Sequence, residues 1–311
     1  MRRTDFLILT IRQISRNNDA TTTSGIPDEE ILQYMNDAQD RLQALISNQK
    51  SPSKVFSVQK KIPAVANQDG YSLSDRLFFN KEIQQIEYSY SGLDSDYVLL
   101  RKRNLFNANT DGSNFPDGYY TRGAQFFPIP LINISGPVFK VTYERTLDDL
   151  DRRRGKVSSI TGLTSTTFTS FVVDSSADES STPNLSTIDY ICINSADGVV
   201  KVYNIPVLSY DTGTNTLTPA AGYVFQTGET FAAGDYITFG KYSTTHCKLL
   251  DETEAYIIQY SVLELFKRDS RQNITQQAEV VGAIESQIVK KMASQTAEVQ
   301  YIPTLGTDEF F

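Results

Sequence analysis

Apolar positions along the chain change their spacing from one stretch to the next, and each change marks a different kind of element. Between residues 4 and 16, Phe6 or Leu7, then Ile11 and Ile14, recur every three to four positions, which predicts a short amphipathic helix. Residues 17 to 25 are polar and Thr-rich. Pro27 with Asp28, Glu29 and Glu30 then supplies a first-turn proline and carboxylates that the helix dipole favours, so a second helix starts there. Ile31, Met35, Ala38, Leu42 and Leu45 form its apolar face, with Glu30, Asn36, Asp37, Asp40 and Arg41 on the solvated side.

After Ser51-Pro52-Ser53 the spacing becomes that of strands. Residues 54 to 62 alternate apolar and polar, and residues 83 to 90 and 97 to 103 read as a hairpin across the turn-rich stretch 91 to 96. Three short strands near 119 to 122, 125 to 129 and 138 to 143 complete a sheet of about five strands. At Gly155 the composition shifts: residues 156 to 245 are rich in Ser, Thr and Gly and carry eight acidic residues against three Lys. Strand candidates at 168 to 173, 190 to 194, 199 to 205 and 236 to 239 predict an inserted barrel or sandwich.

Helical spacing returns at Asp251, where Glu254 completes a capping-box-like pair, and Ala255, Ile258, Val262, Leu265 and Phe266 make one apolar face. It restarts at Asn273, with Val281, Ile284, Ile288 and Met292 continuing a stripe to about Ser294. The last stretch contains Pro303 and Gly306, yet Val299, Tyr301, Ile302, Leu305, Phe310 and Phe311 are unusually apolar for a solvated end. The expected class is α+β: a four-helix frame from both chain ends, a small antiparallel β-sheet region and an inserted all-β module. The expected division is 1–50 plus 250–295 as the helical core, 51–155 as its β-rich region, 156–245 as the inserted module, and 296–311 as a docking tail.

Composition narrows the function. With 40% hydrophobic residues the chain can bury a core, and a net charge of −8 without a long basic run argues against a nucleic-acid surface. The densest basic cluster, Arg152-Arg153-Arg154, follows Asp148, Asp149 and Asp151 and reads first as a solvated mixed-charge segment, second as a contact to phosphate or a partner's acids. No window reaches the ~18 apolar residues of a membrane span. Cys192 and Cys247 make no disulfide framework, in keeping with an intracellular, reducing site of synthesis.

Candidate chemistry is sparse. His246 adjoins Cys247, but neighbours on a strand point to opposite faces, which spoils a Cys-His nucleophile pair, and zinc lacks two further ligands. Phosphate-loop, dinucleotide and nucleophile-elbow motifs do not occur. Asn107, Asn109, Asp111 and Gly112 match the start of a calcium loop, but Gly118 stands where the closing Glu belongs. Asp94 with Asp96 reads as a solvated turn before a glycosidase pair. The chain reads as no enzyme, with no catalytic residue, cofactor or metal.

Three passages carry a resemblance. Ile26-Pro27-Asp28-Glu29-Glu30-Ile31-Leu32 with Asn36-Asp37-Ala38-Gln39-Asp40-Arg41-Leu42 resembles the opening helix of bacteriophage head-to-tail adaptor (connector) proteins. The stretch from Gly123-Ala124-Gln125-Phe126-Phe127-Pro128-Ile129-Pro130 to Phe139-Lys140-Val141-Thr142-Tyr143-Glu144 is similar to the family's β region, and Leu250-Asp251-Glu252 opening Tyr256-Ile257-Ile258-Gln259-Tyr260 to its return helix. The resemblance implies a structural virion protein at the head-tail interface. It implies a homo-oligomeric ring, commonly of twelve, that docks on the portal protein, receives tail or nozzle proteins, and lines the channel with passive contact to genomic DNA and none to membrane. Tyr301, Ile302, Leu305, Phe310 and Phe311 would be partner-binding anchors. Residues 156 to 245 depart from the family, which leaves two other readings open: a tail or receptor-binding virion protein with a glycan-binding β module, and a hydrolase without a recognised motif.

Overall fold

The computed structural model describes residues 3–15, 26–47, 56–72, 83–104, 115–123, 125–174, 188–225, 229–247, 249 and 251–298. The chain divides into two compact units, one made of Met1–Asn48 with Leu147–Phe311 and the other of Gln49–Thr146. The class is α+β.

In the first unit, helix α1 spans Thr4–Ser15 and α2 spans Asp28–Ser47, while α3, Asp251–Arg268, and α4, Ile274–Glu298, follow one another near the other end. Helix α3 packs against each of the other three. That explains why Tyr256, Ile257, Val262 and Leu263 are all buried although they do not share one helical face, and why exposed Ala255 is no part of its core surface, contrary to the sequence expectation. On α2, Ile31, Met35, Ala38 and Leu42 are fully buried as expected, but Ile46 continues the stripe and Leu45 is only half-buried. On α1, Leu7, Ile8 and Ile11 face inward, whereas Phe6 and Leu9 are each 52% exposed and Ile14 is 41% exposed. A helix with apolar residues on both sides does not reveal by spacing which side is covered. On α4, Val281 and Ile288 are buried and Ile284 half-buried; the side chain of Met292 lies outside the described residues.

Among the described residues the second unit has eight strands: β1 Ser57–Pro63, β2 Tyr71–Ser72, β3 Gln85–Ser89, β4 Val98–Leu99, β5 Arg101–Lys102, β6 Gly118–Arg122, β7 Gln125–Ile129 and β8 Val138–Glu144. They form two four-stranded sheets, ordered β1-β8-β3-β4 and β2-β7-β6-β5, and not one sheet of five. The β3–β4 hairpin is present, with Tyr88 opposite Val98. The second arm breaks at Leu100, which turns inward to 3% exposure. Arg101 and Lys102 then pair in parallel with β6, the one departure from an antiparallel region among the described strands here. The unit's core is aromatic: Phe139 lies 4.9 Å from Tyr71, 5.1 Å from Phe126 and 5.4 Å from Tyr88, in tilted and edge-on geometries that suit ring quadrupoles.

The remaining strands, in the first unit, are β9 Asp149–Leu150, β10 Lys156–Thr161, β11 Ser170–Asp174, β12 Tyr190–Asn194, β13 Val200–Asp211, β14 Thr216–Pro219, β15 Tyr236–Phe239 and β16 Ser243–Thr244. Six of them close a barrel in the order β10-β11-β14-β13-β12-β15. Strands β10 and β14 gave no sequence signal, because Ser and Thr dominate them and few of their residues, Val157 and Leu217 foremost, reach the core. Phe168, Phe171, Phe225 and Phe231 belong to one buried cluster with these residues, so the barrel is filled by side chains. Gly155 opens it with φ +150, and a Cβ there would meet Val173 Cγ1 at 2.6 Å, so the composition shift falls at a position only glycine fits. Strands β9 and β16, flanking the barrel in sequence, pair in parallel.

The inward face of α1 predicts that Ile11→Ala costs about 2–5 kcal/mol in urea unfolding of the monomer, while Ile14→Ala stays within about 1 kcal/mol. Equal losses would contradict the observed orientation of the helix.

Candidate assembly surface

What fixes the barrel to the helices is the segment 147–154. Its backbone is held by amide side chains from one face of α2: Asn36 accepts from Leu150 N–H at 2.7 Å and donates to Leu150 C=O at 3.1 Å. Gln39 donates to Asp148 C=O at 2.8 Å, and Gln43 accepts from Leu147 N–H at 3.2 Å. Positions 36, 39 and 43 recur at helical spacing, so the polar face assigned to solvent is in part a backbone-binding face. Gln39 and Gln43 are buried, and a buried amide left without partners would cost about 1–3 kcal/mol.

The arginine cluster is likewise not solvated. Arg154 donates to Asp151 at 2.7 Å and to Glu29 at 3.1 Å, and its guanidinium lies 5.0 Å from the Phe239 ring. Asp151 in turn accepts from Phe239 N–H at 2.7 Å. Arg152 pairs with Asp28, which also takes Arg12 at 2.6 Å; Arg12 donates to Ile26 C=O as well. Arg153 donates to Ala196 C=O and stacks on Tyr236 at 3.8 Å. Burial alone would raise Glu29, but its backbone N–H and Arg154 outweigh that and hold it below the usual carboxylate range. The acids of the first turn of α2 thus serve the helix dipole and receive the arginines of the connecting segment. A shallow groove lies over this clamp, with Leu32, Leu150 and Phe239 as its apolar lining and Glu29, Asp37 and Asp149 among its acids.

His246 is 6% exposed; its Nδ1 lies 2.9 Å from Thr245 Oγ1, and a Cβ on Gly198 would strike the ring at 2.3 Å. Burial, with the charges of Arg153 and Arg3, pushes its pKa below the ordinary 6.5. Both cysteines are buried, and burial pushes the Cys192 thiol up, away from the thiolate a nucleophile needs. Asp94 and Asp96 sit in an exposed 3-10 turn, bonded to Lys61 and to Ser91 and Ser95, as a solvated turn would have them. Among the described residues no group of three or more His, Cys, Asp and Glu could hold a metal ion, and no helix is long and apolar enough to cross a membrane. The calcium-like stretch from Asn107 to Gly112 lies outside the described residues, as do the anchors Tyr301, Ile302, Leu305, Phe310 and Phe311.

Among the described residues, apolar side chains stand exposed in each unit. In the first unit, α1 exposes Phe6 and Leu9 on its outer side and Ile14 near its last turn, with the Arg3 guanidinium 5.2 Å from the Phe6 ring. In the second, edge strand β4 exposes both Val98 and Leu99, and nearby Tyr90 stacks on Phe115 at 5.4 Å, both rings exposed. An apolar edge of this kind is a ready surface for association.

Residues 4–154 match the family model of the SU10 adaptor protein. The span takes in α1, α2, the whole two-sheet unit and the clamp, and it stops at the residue before Gly155, where the barrel begins. The adaptor resemblance read from the opening helix and the β region holds across this span; α3, α4 and the barrel lie beyond it. No curated protein matches the chain.

Removing Arg154 strands Asp151 in a buried site, so Arg154→Ala is expected to lower unfolding stability by about 3–5 kcal/mol in denaturant titration. His246 gives a second, pH-resolved expectation. Because its folded pKa is depressed, the stability of the neutral ring is complete above pH 6.5 and is lost as pH falls through the folded value. Melting curves should therefore show a loss below pH 6.5 that His246→Gln reduces; equal pH profiles would contradict this.

Proposed function

We propose that the chain is a structural virion protein: a ring-forming head-to-tail adaptor that docks on a portal ring, receives tail or nozzle proteins, and surrounds the channel through which DNA passes. The match of residues 4–154 to the SU10 adaptor protein family carries this reading. Subunits act by burying surface against copies of themselves and against the portal, and no bond-making step is required. A chain of net charge −8 suits a channel that must not hold DNA, since phosphate attraction is what makes a surface grip it. Its place is the head-tail interface of the particle, after synthesis in the host cytoplasm. In a dodecameric assembly, the segment from 296 onward, with Tyr301, Ile302, Leu305, Phe310 and Phe311, would serve as the docking tail.

The barrel belongs to the same reading as an addition outside the matched span. Its interior is filled by phenylalanines, so a glycan would have to be held on its outer surface.

Native mass spectrometry of the full chain mixed with the cognate portal ring tests the proposal. The expected result is a defined number of copies per portal. If the two components never associate across micromolar concentrations, the adaptor reading fails.

A further inference from the structure

Charge is divided unevenly along this chain. Residues 49–146 carry 12 Lys and Arg against 9 Asp and Glu, and the rest of the chain carries 17 against 28, so the acid excess belongs wholly to the unit with the helices and the barrel. One exposed feature in each unit shows the difference at close range.

In the first unit it is the groove over the clamp. Four carboxylates line it, Glu29, Asp37, Asp149 and Asp151, against one guanidinium, Arg154, which is already committed to Asp151 and Glu29. Glu29, Gln33 and Asp37 stand at steps of four on α2 and are all exposed, so they make one row about 12 Å long at 1.5 Å per residue. The apolar lining is Leu32, Leu150 and Phe239, of which half-buried Phe239 is the most open. Strand addition is closed to a visitor here. Strand β16 pairs one edge of β9, and Asn36 takes both the N–H and the C=O of Leu150 on the other. What docks must bind through side chains, apolar ones on the lining and cations at the acidic rim.

In the second unit residues 98–102 present the complement. Strand β4 ends one four-stranded sheet and β5 ends the other, so this run lies on two sheet edges. Val98 and Leu99 are 65% and 59% exposed, Leu100 turns into the core, and Arg101 and Lys102 are exposed again. Two aliphatic side chains and two cations thus fall within about 13 Å of extended chain, close to the length of the acidic row.

We propose, on the reading that copies of this chain form a ring, that residues 98–102 of one copy dock in the groove along α2 of the next. Val98 and Leu99 lie toward Leu32, Leu150 and Phe239, and Arg101 and Lys102 meet Asp37 and Asp149. Opposite charge on the two surfaces makes a second copy the matching occupant. Because the surfaces differ, the contact is head-to-tail, and such a contact repeats around a ring, whereas a self-complementary patch stops at a dimer.

Charge reversal tests this, since mixing two proteins separates contact between copies from contact within one chain. Gln33→Lys with Asp37→Lys reverses the groove rim and leaves the clamp untouched, and Arg101→Glu with Lys102→Glu reverses the edge. Circular dichroism and melting should match the wild type in both; should either pair fail to fold, the single changes Asp37→Lys and Arg101→Glu carry the same comparison. In sedimentation each reversed protein alone should self-associate about tenfold or more weakly than the wild type, because like charges then face one another. An equimolar mixture should recover wild-type association, as the lysines of one protein meet the glutamates of the other. Unchanged association of either reversed protein, or a mixture no stronger than its components, overturns the inference while the ring stands, and the second result is also what contact within one chain would give. For a wild type that is monomeric alone, the same comparison is read as copies bound per portal ring. A wild type that joins neither itself nor the portal overturns the ring reading and this inference with it.

Discussion

Arginine side chains are seldom covered by a protein unless each guanidinium finds carboxylates or carbonyls in fixed places, because taking the charge from water costs more than the ion pair returns. In the helix-bearing unit three successive arginines, Arg152 to Arg154, are taken out of bulk solvent in a short connecting segment, together with Arg12 of α1. Their partners come from three places: Asp28 and Glu29 in the first turn of α2, Asp151 in the segment itself, and the barrel through Ala196 C=O and the ring of Tyr236. Since Asp151 is also held by Phe239 N–H, displacing any of these elements strands a charge. This demand, more than apolar contact, fixes how the barrel is set on the helices of its unit.

The amides of α2 extend the same logic to the backbone. An irregular segment beside a helix leaves N–H and C=O groups that must be paired, and Asn36, Gln39 and Gln43 pair those of Leu147, Asp148 and Leu150. Apolar packing sets up the helices, but polar pairing chooses where the connecting chain runs. Helix α2 keeps Gln33, Asp37, Asp40 and Arg41 toward solvent, while α1 leaves Phe6 and Leu9 exposed.

The family match stops at Arg154, and the barrel starts once Gly155 has turned the chain. The barrel meets the matched part through this connection, and its residues Ala196, Tyr236 and Phe239 take part in the arginine clamp. Its phenylalanine-filled interior makes it a self-contained core.

How much of this was legible in the sequence follows from the range of the interactions concerned. Spacing of apolar residues located the four helices and the strands 190–194 and 236–239, because burial of one face is a local, periodic demand. Of the three passages that carried the adaptor resemblance, 26–48 and 119–150 lie within the matched span and 250–270 lies outside it. Spacing could not say which side of α1 is covered, since Phe6 and Ile14 are as apolar as Leu7 and Ile11. Nor could it find β10 and β14, which pair across the barrel through backbone groups that any residue carries. The arginine cluster looked solvated because its local neighbours are acidic; its decisive partners Asp28 and Glu29 lie more than a hundred residues away. The sequence by itself determined the helices, part of the strands and the adaptor resemblance of the first half. Only the tertiary structure decided which charges are buried and which apolar face stays open, because a side chain's partners are set by the fold and not by its neighbours in the chain.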